Sequence, residues 1–404
     1  MSGQFSANAS ALGYFYQARY ALMLLMNEGK IYPDAEMSIE RFDDVAFEQA
    51  ANPTELIQTK HHLNKLASLS DTSADLWKTI RIWCTESLKH NWDVSKIIFT
   101  LVTTAMAPEA SIASKLRLSE SGGRDVESAL IDLRNVANTS SSKENKSAYD
   151  AFLGLDENQQ RLLINNVRVL DSSPNIMDVQ SKILTELRYT TRFFAKIYER
   201  LEGWWFCRVI DHLSRDSQGT ISHKELLEKI YELQDQFHQD NLPIDFSGPI
   251  NIDSPEYELN TKQRIFVEQL QLVEVGPKRT RMAISDFHKA YRQRSRWIRE
   301  EVALIDEIIH YEDNLYEEWV RCSEIRKERL VRDKNVSEEK KQSEGWELFN
   351  EIEKLNFPIR PRCTEPYITR GSYHILANQL RLGWHLEFLE RLGHLLNLPE
   401  EITA

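Results

Sequence analysis

The chain has 404 residues, 41% hydrophobic and 28% charged, with a net charge of −12. That length exceeds what one core usually holds and predicts two or three domains. The acidic balance excludes a protein that coats nucleic acid through an overall basic surface, though not an enzyme with a local basic groove.

A helix is predicted over 10–27, with Ser10 as its cap and Gly29 past its end. Within it, Tyr20 to Met26 is apolar but too short to span a bilayer, so no membrane partner is expected. Three short strands follow at 37–41, 45–48 and 55–60, the last two joined by a turn around Asn52 and Pro53. A second helix is expected over 71–90, with Leu76, Ile80, Trp83, Cys84 and Leu88 as its apolar stripe, and then a buried strand within 96–104. Helix, three strands, helix and strand make an α/β core.

Helices are expected over 125–136, 156–164, 176–189 and 191–208, with a last strand at 167–170. Beyond about residue 200 the pattern is helical, except for a proline-bearing linker at 241–255. The longest uninterrupted pattern covers 285–332, where Ile298, Val302, Ile305, Ile309, Tyr316 and Trp319 form a seam that Glu312 interrupts. A charged connector at 334–341, a helix at 344–355 and one or two helices over 371–396 close the chain. The domains expected are therefore 1–200, a helical middle region and linker at 201–265, and a helical docking domain at 266–404. The four cysteines, Cys84, Cys207, Cys322 and Cys363, form no Cys-x-x-Cys pair, which points to a reducing, cytoplasmic setting.

The chemistry concentrates in the first hairpins. Glu40 and the adjacent Asp43 and Asp44 stand at the end of one apolar run, and Gln58 and Lys60 in the next. Side chains two apart on a strand share a face, so Gln58 and Lys60 project together while Ile57 and Thr59 face the other way. Reversal of the chain brings Asp44 beside them. An acid, an amide oxygen and an ammonium at strand ends can hold a hard cation and orient a water; by spacing alone such residues are more often just a solvated strand end. His61 and His62 have no partner at zinc spacing and read as a solvated pair, or as His61 near a phosphate.

These residues reach a resemblance. The helix carrying Gly13, Tyr14, Phe15, Tyr16 and Gln17, the acidic hairpin with Asp43 and Asp44, and Gln58-Thr59-Lys60-His61 resemble the PD-(D/E)xK nuclease superfamily, above all the effector nucleases of bacterial anti-phage systems and Mrr-like restriction enzymes. Near the other end, Gly371-Ser372-Tyr373-His374, Leu376-Ala377-Asn378 and Gly383-Trp384-His385 look like the C-terminal domain of nuclease subunits in ABC three-component, or Lamassu-type, defence systems.

The resemblance implies an α/β restriction-endonuclease-like domain followed by a mostly α-helical region, and a DNA endonuclease dependent on Mg²⁺ or Mn²⁺. Asp44 matches the metal-binding acid, with Asp43 as the fallback; Gln58 matches the second ligand position and Lys60 the lysine. Gln58 is neutral where an acid is usual, so Glu40 is the candidate for the missing carboxylate. Gln17 is expected to touch DNA or the site, or to be a surface amide. The implied partners are double-stranded DNA, an SMC- or Rad50-like ATPase, a small third subunit and further copies of the chain when active. The other reading is a scaffold whose nuclease-like fold no longer catalyses.

Overall fold

The computed structural model describes residues 6–62, 67–215, 219–250, 264–332 and 336–397. The chain divides into two compact units, Met1–Gln234 and Asp235–Ala404. The first therefore takes in much of the stretch read above as a helical middle region.

The first unit begins with α1 (Ser6–Ile31), then β1 (Glu36–Ile39), β2 (Val45–Gln49) and β3 (Asn52–Lys60) as an antiparallel meander. After α2 (Ala74–Lys89), β4 (Ile98–Thr103) lies parallel to β3, and β5 (Val167–Leu170) parallel to β4. Between β4 and β5 come α3 (Ile112–Lys115), α4 (Val126–Thr139), α5 (Lys146–Leu153) and α6 (Glu157–Asn165); α7 (Ile176–Arg188) and α8 (Phe194–Ser214) follow. β6 (Ile221–Ser222) pairs with β1, giving a mixed six-stranded sheet in the order β5-β4-β3-β2-β1-β6, and α9 (His223–Gln236) follows it.

Alternation sorts the faces. Ala46, Leu56, Phe99, Leu101, Val167 and Val169 share one core with side chains of α2, α4, α5 and α6. Val45 and Ile57 point the other way, and α1 packs against β1 and β3. β3 is the strand at which the sheet changes from antiparallel to parallel pairing.

The turn expected at Asn52 and Pro53 lies two residues earlier. Gln49 pairs with Asn52, and Ala50 and Ala51 make the reversal with φ of 50° and 63°. A two-residue hairpin needs left-handed backbone at both central positions, a cost that the flanking ladder offsets here for two alanines. Pro53 is inside β3, beside a register shift between Phe47 and Glu48. On α2, Leu88 of the expected stripe is exposed, while Trp77 is buried with Leu76, Ile80, Trp83 and Cys84.

The second unit is helical: α10 (Ile265–Leu272), α11 (Pro277–Arg299), α12 (Ile305–Val331), α13 (Glu338–Glu353), α14 (Pro366–Asn378) and α15 (Phe388–Leu392). The pattern over 285–332 is two helices, not one. Glu301 turns left-handed at φ 57°, its N–H reaches the Ile298 carbonyl, and the Val302 N–H reaches the Trp297 carbonyl. That pair of bonds is a Schellman ending. Val302 and Trp319 of the expected seam are buried, but Ile305, Ile309 and Tyr316 are 60, 46 and 38% exposed, and Ile308, Tyr311 and Leu315 are buried in their stead. Of the expected linker, 251–255 lies outside the described residues, as do 334 and 335 of the expected connector.

Candidate active site

The loop from Glu40 to Asp44 joins β1 to β2, closed by the Glu40 N–H on the Asp44 carbonyl at 3.2 Å. Glu40 is left-handed at φ 56° and exposed. Because Val45 pairs with Ile57, Asp44 stands beside Gln58 at the carboxyl end of β3. Gln58 Nε2 donates to Asp43 Oδ1 and, at 3.0 Å, to Asp44 Oδ1. Its oxygen accepts from Lys60 Nζ at 2.7 Å, as expected of two side chains on one face. Asp44 Oδ2 accepts from the Thr59 N–H at 2.7 Å and the Thr59 hydroxyl at 3.0 Å. Asp44 and Lys60 are half-buried; Gln58 is buried.

The two adjacent acids differ in surroundings. Asp43 is 7% exposed, and its Oδ2 accepts from Trp83 Nε1 at 2.7 Å. Burial, with the Asp44 charge next to it, pushes its carboxyl up to about 7 despite the hydrogen bonds from Gln58 and Trp83. Glu40, exposed as a residue but with its carboxyl partly covered, is raised mainly by desolvation, with Gln17 and Lys60 opposing and Asp44 adding to it. Of the two acids, Asp44 is the one whose carboxylate stands nearer to solvent.

Gln17 is not a surface amide. It is buried on α1, and Nε2 donates to Glu40 Oε1 at 2.9 Å and to the Asp44 carbonyl at 2.6 Å. Its NH₂ group braces the acidic loop, so the residue touches the site. His61 is half-buried, stacked on Tyr16 with ring centroids 4.7 Å apart, and burial followed by the neighbouring His62 lowers its pKa. His62 pairs with Asp75 at 2.6 Å.

Two members of the constellation were not singled out from sequence. Trp83 reads as part of an apolar stripe, yet a buried indole N–H needs an acceptor, and Asp43 is it. Thr59 faces away by strand alternation, but its N–H and hydroxyl both reach Asp44 at the strand end.

In the second unit, α11 and α14 pack most closely. A Cβ on Gly371 of α14 would stand 2.1 Å from the Asp286 carbonyl oxygen of α11, so only glycine permits the approach. Beside it Ser372 accepts from Arg294, which pairs with the buried Glu312, itself held by Arg381 at 2.7 Å. Among the described residues one group of three acid or imidazole side chains has ligand atoms within 4.8 Å of one another: Glu338, His385 and Glu387. Its charges are already answered, since Arg391 bridges both carboxylates at 2.7 Å each and Lys341 pairs with Glu387. Glu40, Asp43 and Asp44 do not form such a group.

Residues 266–392 match the family model of C-terminal domain 7 of the ABC-three component (ABC-3C) systems. This supports a place for the chain in an ABC-3C defence system. The words that resembled such a domain are largely packing words. In this ABC-3C segment His374 is fully buried among Phe266, Phe349 and Trp384, and burial lowers its pKa to about 3. Gly383 makes room for the Phe388 ring, and Trp384 is core.

No curated protein matches the chain. Among solved structures, three of the Acinetobacter baumannii Cap4 SAVED/CARF-domain containing receptor, with 2'3'3'-cAAA, with 3'3'3'-cAAA and alone, are 15–16% identical to it. The alignments have TM-scores of 0.32–0.33 and cover 65% of this chain and 57–58% of the receptor chains. The chain thus spans less than two thirds of those receptors. No helix among the described residues is long and apolar enough to cross a membrane.

Proposed function

We propose that the chain is a DNA endonuclease dependent on Mg²⁺ or Mn²⁺, the effector subunit of an ABC-3C defence complex of the Lamassu type. The observation that carries the reading is the convergence of Asp44, Gln58 and Lys60 at the carboxyl end of β3. The element order, a helix, a three-stranded meander, a helix and a strand parallel to the third, is the α/β order expected from the sequence, and it supports the same reading.

The donors fit a hard cation: the Asp44 carboxylate, the Gln58 amide oxygen and the exposed Glu40 carboxylate are all oxygen. Such an ion, when bound, polarises the scissile phosphate and acidifies a water. Asp44 and Gln58 would hold it, with Glu40 as the candidate for a further carboxylate. Lys60, already on the Gln58 oxygen, stands where an ammonium can orient the attacking water or offset charge growing on the phosphate. Thr59 fixes the Asp44 carboxylate and Gln17 the Glu40 carboxylate, so neither must be ordered at the moment of reaction.

An unrestrained nuclease would cut its own genome. The reading therefore includes restraint by partner subunits, an SMC- or Rad50-like ATPase that senses foreign DNA and a small third subunit. Release and pairing of copies then make the active form. The ABC-3C segment is the part proposed to dock. The test is plasmid nicking by the assembled complex with Mg²⁺: wild type cuts and Lys60→Ala does not, and equal product from both overturns the reading. Removal of residues 235–404 should abolish co-purification with the ATPase; retained binding overturns the docking role.

A scaffold without catalysis is the second reading. What favours it is that Gln58 is neutral and that the carboxylate oxygens of Asp43 and Asp44 all have protein donors. A carboxylate oxygen can accept twice; Asp44 Oδ2 already does so, but among the described residues Asp44 Oδ1 accepts only from Gln58, which leaves it room for a ligand.

A further inference from the structure

We propose that Asp43 is a positioning residue, whose buried carboxylate grips the nitrogen end of the Gln58 side chain and so turns the amide oxygen toward Lys60 and the open side of the site. Its purpose rests on the nuclease reading; its geometry does not.

The amide has two distinct ends, and here only one orientation is tolerable. Nε2 carries two hydrogens and meets two carboxylates, Asp43 Oδ1 and Asp44 Oδ1. Oε1 meets the Lys60 ammonium. Turned over, the amide would set its oxygen against two acids and its NH₂ against a cation. Asp43 cannot yield to relieve that, because Trp83 holds its Oδ2 and the Asp44 N–H holds its Oδ1. The carboxylate is also buried, out of reach of a hydrated ion except through Gln58.

This accounts for a neutral residue where an acid is usual. A glutamate at 58 would put three carboxylates in contact, two of them buried.

The test has two arms on the full chain. The first uses no metal: thermal unfolding in EDTA of wild type, Asp43→Asn, Gln58→Glu and the exchanged pair carrying both. Gln58→Glu alone should lower Tm. In the pair the amide introduced at position 43 can donate to the carboxylate introduced at position 58, so part of the loss should return, although the Asp44 N–H then loses its acceptor. Additive losses mean the two side chains are not coupled and overturn the clasp.

The second arm is Mn²⁺ affinity by electron paramagnetic resonance. Asp43→Asn should weaken it roughly tenfold, as loss of a group that orients a ligand does, and the exchanged pair should recover it. Asp44→Asn should remove it. Trp83→Phe, which deletes only the outer hydrogen bond, should act like Asp43→Asn to a lesser degree and serves if that variant does not fold. Loss with Asp43→Asn as complete as with Asp44→Asn makes Asp43 a ligand and overturns the proposal. If wild type binds no Mn²⁺ while the first arm shows coupling, the nuclease reading falls and the clasp stands.

Discussion

Lys60 donates to the side-chain oxygen of Gln58, two residues before it on β3, at 2.7 Å. The amine is thus aimed by its own strand. Lys60→Ala should lower Mg²⁺-dependent nicking by the complex at least about a hundredfold, the usual effect of deleting one charge-stabilising donor. Because Lys60 is half-buried at a strand end, Tm should move little. Circular dichroism on the same samples checks that the loss is not unfolding.

Asp44 should carry the response of stability to metal. An ion that binds only the folded chain adds about 2.7 kcal/mol at a hundredfold excess over its Kd. Wild-type Tm should therefore rise with Mg²⁺ or Mn²⁺ and that of Asp44→Asn should not. Differential scanning fluorimetry reads this without any DNA. An equal rise in both would move the ion elsewhere.

Asp43 should make the metal-free protein pH-sensitive. Its carboxyl is raised by burial to about 7 in the folded chain, from an ordinary 3.8. Between those values the folded state keeps a proton that the unfolded state has released. Its contribution to stability is thus complete below about pH 4 and is lost as pH rises through about 7. Urea midpoints in EDTA should fall across that window, by an amount equivalent to a few kcal/mol at most, and Asp43→Asn should flatten the slope.

Much of this was legible in the chain because strands advertise their faces. Gln58 and Lys60 two apart, and an acid before Val45, are enough to place one side of the site. Period two gives no information about groups that arrive from other elements. Trp83 on α2 and Gln17 on α1 enter from helices, and their polar atoms reach the hairpin from opposite sides of its sequence. The break between α11 and α12 was hidden for another reason. Glu301 adopts the left-handed region without being glycine, so no residue type announces it. The Ala50 and Ala51 turn is unannounced for the same reason, whereas the nearby Asn52 and Pro53 are ordinary turn residues.

Gly371 offers a test of the ABC-3C segment independent of catalysis. A Cβ there meets the Asp286 carbonyl oxygen at 2.1 Å and the Ala290 Cβ at 2.5 Å, and backbone cannot step aside as a side chain can. Gly371→Ala should cost about 2–3 kcal/mol of stability in the second unit, although alanine is the better helix former. Chemical denaturation measures it. A neutral result would mean that α11 and α14 slide apart cheaply.

The acids, the amide and the amine all come from one short run of chain, Glu40 to Lys60. Their supports, Gln17 and Trp83, come from outside it. Fraying of the first helix would therefore leave the reacting groups on their ladder and loosen the grip of Gln17 on Glu40 and on the Asp44 carbonyl. Hydrogen exchange resolved by residue would register this as early labelling in α1 over amides in β2 and β3 that stay protected.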